Sequence, residues 1–229
     1  MKLLPFFLFF TLISFGQTTT DVDQKTDSVV YYLENAKDSL KFKYLNRAVE
    51  LSNKIKNDSL FRESLISLGL AYYREKDTTE LNLVGKKLIE QYLKRKDSFC
   101  LAKVYHFKAL NFKIKYQLDS SYYYYHESKN ISILLKDSLE VGRRLLSMAD
   151  MQKNEGDYIG GEFTIVEGLR YLEPLENYWH KPHSMVTLGN ILTDFDRYEE
   201  AREYYNRAAE LYKKNPSKKR REGELLNVF

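Results

Sequence analysis

Apolar residues along most of this chain recur at steps of three and four, the spacing that places them on one side of a helix. Leu65, Leu68, Gly69 and Tyr72 fall at i, i+3, i+4 and i+7, and Tyr198, Ala201, Tyr205, Ala208 and Leu211 follow the same rule. Short polar stretches interrupt the pattern: Glu75-Lys76-Asp77, Glu155-Gly156-Asp157 and Asp194-Phe195-Asp196. A second set of breaks, Asp58-Ser59-Leu60, Asp97-Ser98-Phe99 and Asp137-Ser138-Leu139, places Asp and Ser where a helix begins. Such side chains accept from the unsatisfied first-turn amides, so each break predicts the N-cap of the next helix. Only four prolines occur, and none lies between Phe6 and Glu173, which again favours helices.

The helical pattern repeats. Small residues stand at Gly69, Ala109, Ala149 and Gly189, each forty positions apart. A second column reads Ala48, Leu88, Ser128, Gly168 and Ala208, and a third reads Leu65, Tyr105, Leu145, Met185 and Leu225. Two helices pack most closely where side chains are smallest, so these columns predict antiparallel helix pairs with bulky neighbours filling the grooves between them. A single pair cannot bury its apolar face alone, and stacking makes one continuous core. The expected fold is all-α: a right-handed solenoid of about five helix-turn-helix repeats, over residues 22–61, 62–101, 102–141, 142–181 and 182–218, with 219–229 as a partial sixth repeat or capping helix.

The last unit carries a resemblance. Met185-x-x-Leu188-Gly189-x-x-Leu192 followed by Tyr198-x-x-Ala201-x-x-x-Tyr205-x-x-Ala208 resembles the tetratricopeptide repeat (TPR) pattern W-x-x-L-G-x-x-Y…Y-x-x-A-x-x-x-F-x-x-A. Met replaces Trp and Leu replaces Tyr. The unit with Met148-Ala149, Gly156-Asp157-Tyr158, Gly161 and Gly168 is similar, as is the first helix around Leu68-Gly69-x-x-Tyr72. Leu81 and Gly85 depart from the pattern, and the unit around Val29 looks like an atypical cap. The spacing exceeds the family's usual repeat, as in exported TPR proteins of bacterial signalling systems. The resemblance implies a TPR superhelix that binds proteins or peptides and seldom catalyses.

Composition narrows the picture. A single cysteine, Cys100, excludes a disulfide framework and a cysteine-based metal centre. A net charge of +4 from 36 basic and 32 acidic residues is too small and scattered to imply nucleic acid. At the start, Met1-Lys2 precedes an apolar run from Leu3 to Phe15, and Ser14-Phe15-Gly16 supplies small residues at a cut. These are the parts of a secretory signal peptide, residues 1–16, cleaved after Gly16. The run spans about 20 Å as a helix, short of a bilayer core, and the mature chain contains no second apolar segment long enough to span. Localisation is expected to be periplasmic or secreted.

Candidate chemistry is sparse. His180-Lys181-Pro182-His183 reads as a loop between units; two imidazoles without further ligands predict no metal. Tyr122-Tyr123-Tyr124-Tyr125 surrounds most of a helix, so one or two rings must enter the core, with Tyr125 in the core column. Lys218-Lys219-Arg220-Arg221 reads as a solvated turn. No catalytic residues, cofactor or metal are expected. The repeat register assigns the inner surface to first-helix residues outside the packing columns: Tyr73, Lys103, His106, Lys113, Arg143, Asp150, Lys153 and Asn190. Four recurrent basic residues there favour an acidic peptide or a C-terminal carboxylate. Two functions fit: an exported protein-interaction scaffold binding a peptide or protein in its concave groove, or the extracytoplasmic sensory input region of a membrane-bound regulator, a histidine kinase or transcriptional regulator, cut before its membrane helix.

Overall fold

The structure, a computed structural model, describes residues 10–175 and 179–214, with side chains from Val22 onward. Among the described residues there are ten α-helices: α1 (Phe10–Glu34), α2 (Lys41–Lys54), α3 (Asp58–Arg74), α4 (Thr78–Arg95), α5 (Ser98–Ile114), α6 (Leu118–Leu134), α7 (Ser138–Asn154), α8 (Tyr158–Leu172), α9 (His180–Asp194) and α10 (Tyr198–Lys213). A short 3₁₀ turn (Asp38–Leu40) precedes α2. The expected signal sequence, residues 1–16, lies wholly outside the described side chains, and the Lys218–Arg221 run and the partial sixth repeat lie outside the described residues altogether.

One kind of turn links nearly all of these helices. Lys56, Lys76, Lys96, Tyr116, Lys136, Gly156 and Asp196 all have positive φ, at a step of twenty residues or a multiple of it. At Lys56 the turn is closed by two bonds, Asn57 N–H to the Ser52 carbonyl and Lys56 N–H to that of Asn53, both 3.1 Å. The same pair recurs at Asp77/Lys76, Gln117/Tyr116, Asp137/Lys136, Asp157/Gly156 and Arg197/Asp196. This is the Schellman ending, in which one left-handed residue satisfies the last carbonyls. The very next residue then caps the following helix. Asp97 accepts from Phe99 N–H at 3.0 Å, Asp137 from Glu140 N–H at 3.1 Å and Asp157 from Gly160 N–H at 2.9 Å. For α3 the cap is Asn57, accepting from Leu60 N–H at 3.1 Å, and not Asp58 one residue on. The left-handed residue fixes the chain so that the position directly after it must be the cap.

The molecule divides into two compact units, residues 1–91 and 92–229. In the first, α2 packs against α1 and α3, burying Val29, Leu45, Ala48, Leu65 and Leu68. The Phe42 ring stacks on Tyr72 with centroids 4.9 Å apart, and Lys41 pairs with Glu75 at 2.7 Å across the same contact.

The second unit is a run of three hairpins, α5/α6, α7/α8 and α9/α10, with α6 against α7 and α8 against α9. Each second helix carries two small residues seven positions apart, and these make the close approach. In α6, Ser121 and Ser128 donate to the Ala109 and Ala102 carbonyls of α5, both at 2.9 Å. In α8, Gly161 and Gly168 lie so close to α7 that an added Cβ would sit 3.5 Å from the Ala149 carbonyl and 3.6 Å from that of Gly142. In α10 the equivalents are Ala201 and Ala208, both buried. Leu146, Ala149, Ile165, Leu188, Ile191 and Leu192 join Ala201 in one core cluster. Tyr125 is buried as expected, Tyr124 stacks on Phe112 at 5.3 Å, and Tyr123 is exposed.

The His180–His183 segment is not a loop. It opens α9, where Pro182 sits in the first turn and its missing N–H has no intrahelical partner to lose. Lys181 Nζ reaches back to the Glu173 carbonyl at 2.9 Å.

Two glycines give opposite expectations. A Cβ at Gly85 in α4 meets nothing within 4 Å, so Gly85→Ala should stabilise by about 1 kcal/mol through helix propensity. A Cβ at Gly189 would lie 2.5 Å from the Tyr205 ring, so Gly189→Ala should cost about 1–3 kcal/mol of overpacking strain. Chemical denaturation of the two variants checks both signs.

Candidate functional site

The first helices of the second unit, α5, α7 and α9, are joined side by side through polar side chains. The densest junction is built from one local sequence. Asp137 caps α7 and thereby fixes Glu140 in its first turn. Residues three and four further on share its side of the helix, and these are Arg143 and Arg144. Glu140 Oε1 accepts from Arg143 at 2.6 Å, while Oε2 accepts from Arg144 of the same helix and from Lys103 of α5, the latter at 2.6 Å. Arg144 also donates to His106 Nδ1 on α5. Glu140, Lys103, Arg144 and His106 are all buried; only Arg143, with 29% of its side chain exposed, reaches solvent appreciably.

Three cations thus share one carboxylate. Burial alone would raise the Glu140 carboxyl, but Arg144, Lys103 and Arg143 outweigh it and hold the group well below the usual carboxylate range. Lys103 is pushed down to about 8, by burial first and by Arg144 and Arg143, with Glu140 opposing. His106 falls well below its ordinary value because of burial and the neighbouring Arg144 and Lys103, so it is a neutral ring that accepts through Nδ1. His180, at the start of α9, is lowered to about 3 by burial, Arg143 and His183. The cluster therefore holds a net charge near +2. It is also short of acceptors: Arg144 Nε is buried without a hydrogen-bond partner.

The other predicted surface residues have different surroundings. Asp150 accepts from Thr187 Oγ1 at 3.0 Å, joining α7 to α9. Asn190 accepts from the Tyr205 hydroxyl at 2.8 Å, joining α9 to α10. Lys113 and Lys153 stand half-exposed in the last turns of α5 and α7, where a positive charge complements the helix dipole. Tyr73 is half-buried on α3 in the first unit. Among the predicted residues, then, Lys103, His106 and Arg143 converge on one cluster, with His106 enclosed within it. Glu140 and Arg144 are members that sequence reasoning missed, and His180, expected in a loop, lies near enough to feel the Arg143 charge. The available signal was Asp137-x-x-Glu140-x-x-Arg143-Arg144, a cap followed by i, i+3 and i, i+4 ion pairs.

Helical hairpins that pair through small residues and stack through shared grooves define a helical-repeat protein. Residues 182–215 match the family model for the tetratricopeptide repeat. Solved structures with the same fold include BtubC (BKLC) from P. vanneervenii, at 18% identity over 78% of this chain and 75% of that one, with a TM-score of 0.64. Aspartyl phosphate phosphatase F from Bacillus subtilis aligns at 16% identity over 81% of this chain and 49% of that chain, TM-score 0.68. A signal transduction ATPase with a tetratricopeptide repeat sensor, from Pyrococcus horikoshii, aligns at 19% identity over 83% of this chain and 30% of that one, TM-score 0.62. No curated protein sequence matches the chain. Residues 182–215 thus carry a tetratricopeptide repeat, and the chain has the all-α fold of these repeat structures.

Among the described residues, no three His, Cys, Asp or Glu side chains are placed to hold a metal, and no helix is long and apolar enough to cross a membrane. The buried ionisable groups make stability depend on pH. His180 has a folded value near 3 against 6.5 ordinarily, so the unfolded chain binds a proton first as pH falls. Its contribution is complete above the ordinary value and is lost on acidification through that window, at up to about 1.4 kcal/mol per pH unit. His106 acts in the same direction. Unfolding midpoints should therefore fall between neutral pH and about 4, and His180→Gln should flatten part of that slope. Urea titrations of both forms at several pH values check this.

Proposed function

We propose that this protein is an exported interaction scaffold that holds an acidic protein or peptide against the first-helix face of its second unit. The tetratricopeptide repeat fold supports a role in protein binding, and the charge excess around Glu140 carries the acidic preference. A cluster in which three cations meet one carboxylate, reaching solvent at Arg143, projects a positive potential that attracts anions. Lys113 and Lys153 extend the positive potential along α5 and α7, and Asp150 and Asn190 supply polar contacts between α7 and α9. Export rests on the n-region, apolar run and small-residue cut of residues 1–16. Catalysis has no part in this reading.

A second reading is the sensory input region of a larger signalling regulator. It is favoured by the likeness to a signal transduction ATPase whose repeats are described as a sensor. Both readings use the same binding face.

Binding to arrays of short peptides graded in charge tests the scaffold reading. Acidic peptides should bind the chain from Gln17 onward, and the Lys113→Glu/Lys153→Glu double variant should weaken them about tenfold or more. Equal binding of acidic and basic peptides would remove the reading. Fractionation of the source cells, with N-terminal mass spectrometry, tests export: a species starting at Gln17 outside the cytoplasm is expected, and an intact Met1 form in the cytoplasm would refute it.

A further inference from the structure

The outer face of α8 is more apolar than its place in the repeat requires. Ile159 and Phe163, one turn apart, are 65% and 76% exposed. The forty-residue register places Asp119 and Glu199 in the column of Ile159, and Tyr123 and Glu203 in that of Phe163. The fold therefore accepts charge in both columns, and packing within the chain does not call for Ile or Phe there. Tyr123 is itself 57% exposed. The hydroxyl of Tyr122 beside it faces the Thr164 side chain of α8, so Tyr123 and Phe163 stand on adjacent helices of one surface. Large exposed apolar side chains gathered in one place mark a contact surface.

Past Phe163 the stripe continues to Val166, on the rim of a hollow of about 400 Å³ that Leu169, Met185 and Tyr204 also line. Charges of opposite sign bracket the stripe. Asp157 caps α8 at one end, with Glu155 two residues before it, and Arg170 stands at the other; all three are exposed. Phe163 lies near the midpoint, six residues after Asp157 and seven before Arg170. Glu162 and Glu173 are engaged by Arg197 and Lys181, whereas Arg170 has no ion-pair partner among the described residues. A helix with acid at its start, base at its end and an aromatic ring between them is complementary to its own reverse. Side by side in parallel, two such helices would set like charges together; antiparallel, each Arg170 faces the acidic turn of the other.

We propose that the outer face of α8 is a self-association surface, on which a second copy of this chain docks with its own α8 antiparallel, about a two-fold axis near Phe163. Such an axis uses the same patch twice, so self-complementarity is the condition it must meet. The two Phe163 rings pack against each other at the axis, next to the hollow at Val166, with Tyr123 at their flank. Each Arg170 then reaches the Glu155–Asp157 turn of the other copy. The patch is small, which places the contact among weak, reversible interfaces. Because it lies on a second helix, the first-helix face of this unit stays open in both copies. A pair of copies thereby presents two such faces to one partner, which raises avidity without any new contact.

Sedimentation velocity of the chain from Gln17 onward, from about 1 μM to about 1 mM, should show a monomer giving way reversibly to a species of twice its mass. Phe163→Glu, at an exposed position that should leave the circular dichroism and the denaturation midpoint unchanged, should weaken the dimer about tenfold or more. Arg170→Glu, which sets acid against acid, should weaken it about threefold or more. Cys100 is buried, so single surface cysteines report the geometry. Phe163→Cys should give a disulfide-linked pair under mild oxidation. Ile159→Cys, four residues from the axis and so roughly 12 Å from its counterpart, should not. A chain that stays monomeric throughout that range would overturn the proposal, as would a dimer indifferent to Phe163→Glu. Ile159→Cys linking as readily as Phe163→Cys would refute the antiparallel arrangement. A monomer that binds a different protein through Phe163 would overturn self-association and assign the surface to that protein.

Discussion

The single left-handed residue that ends one helix and hands the chain to the cap of the next is the constraint on which the rest of this structure depends. It leaves no slack between helices. Lys56, Lys76, Lys96, Tyr116, Lys136, Gly156 and Asp196 hold that conformation, and six of these seven lack the freedom of glycine. Each non-glycine costs about 1–2 kcal/mol in the left-handed region. Two closing hydrogen bonds offset that cost at every one of these turns but Lys96, and side-chain caps at Asn57, Asp77, Asp97, Asp137 and Asp157 add to them. Within the second unit, with turns of this form at Tyr116, Lys136, Gly156 and Asp196, side chains on neighbouring first helices meet at a near-constant offset.

That offset is what assembles the ion cluster. Lys103 and Glu140 are separated by 37 positions, His106 and Arg144 by 38, Asp150 and Thr187 by 37. All three pairs bridge adjacent first helices. Buried ion pairs seldom add much net stability, since desolvation consumes most of the attraction. Their effect here is on alignment: a shift of one residue along α7 would remove Glu140 from Lys103 and Arg144 from His106 together. The cluster thus pins the mutual register of α5 and α7 while leaving Arg143 at the surface.

Much of this was legible in the sequence. Steps of three and four among apolar residues give helices, and columns of small residues give the hairpins. Gly69, Ala109, Ala149 and Gly189 are buried in the structure, as are Ala48, Ser128, Gly168 and Ala208. Caps at Asp97 and Asp137 follow from their hydrogen-bonding chemistry alone. What escaped was decided by tertiary contact. The left-handed turns are marked by Lys-Asp or Lys-Asn pairs at four of seven places, which only the backbone geometry makes meaningful. Lys103 and His106 read as residues of the solvent-facing inner surface by their register, yet on the next hairpin Glu140 engages Lys103 and Arg144 engages His106 in a buried cluster. Glu140 and Arg144 were hidden for the complementary reason: inside a single helix they resemble an ordinary surface ion pair.

The sameness of the turns has a topological consequence. The link inside a hairpin, at Tyr116 or Gly156, is built like the link between hairpins, at Lys136. A turn of this kind does not tell a helix whether the neighbour before it or the one after it is its closer partner. That choice is written wholly in side chains: Ser121 and Ser128 bond back to α5, and Gly161 and Gly168 admit α7 to near-contact. Exchange of these few small residues between the two faces of a helix would leave every turn intact and still re-pair the helices, so connectivity and architecture are encoded here in separate alphabets.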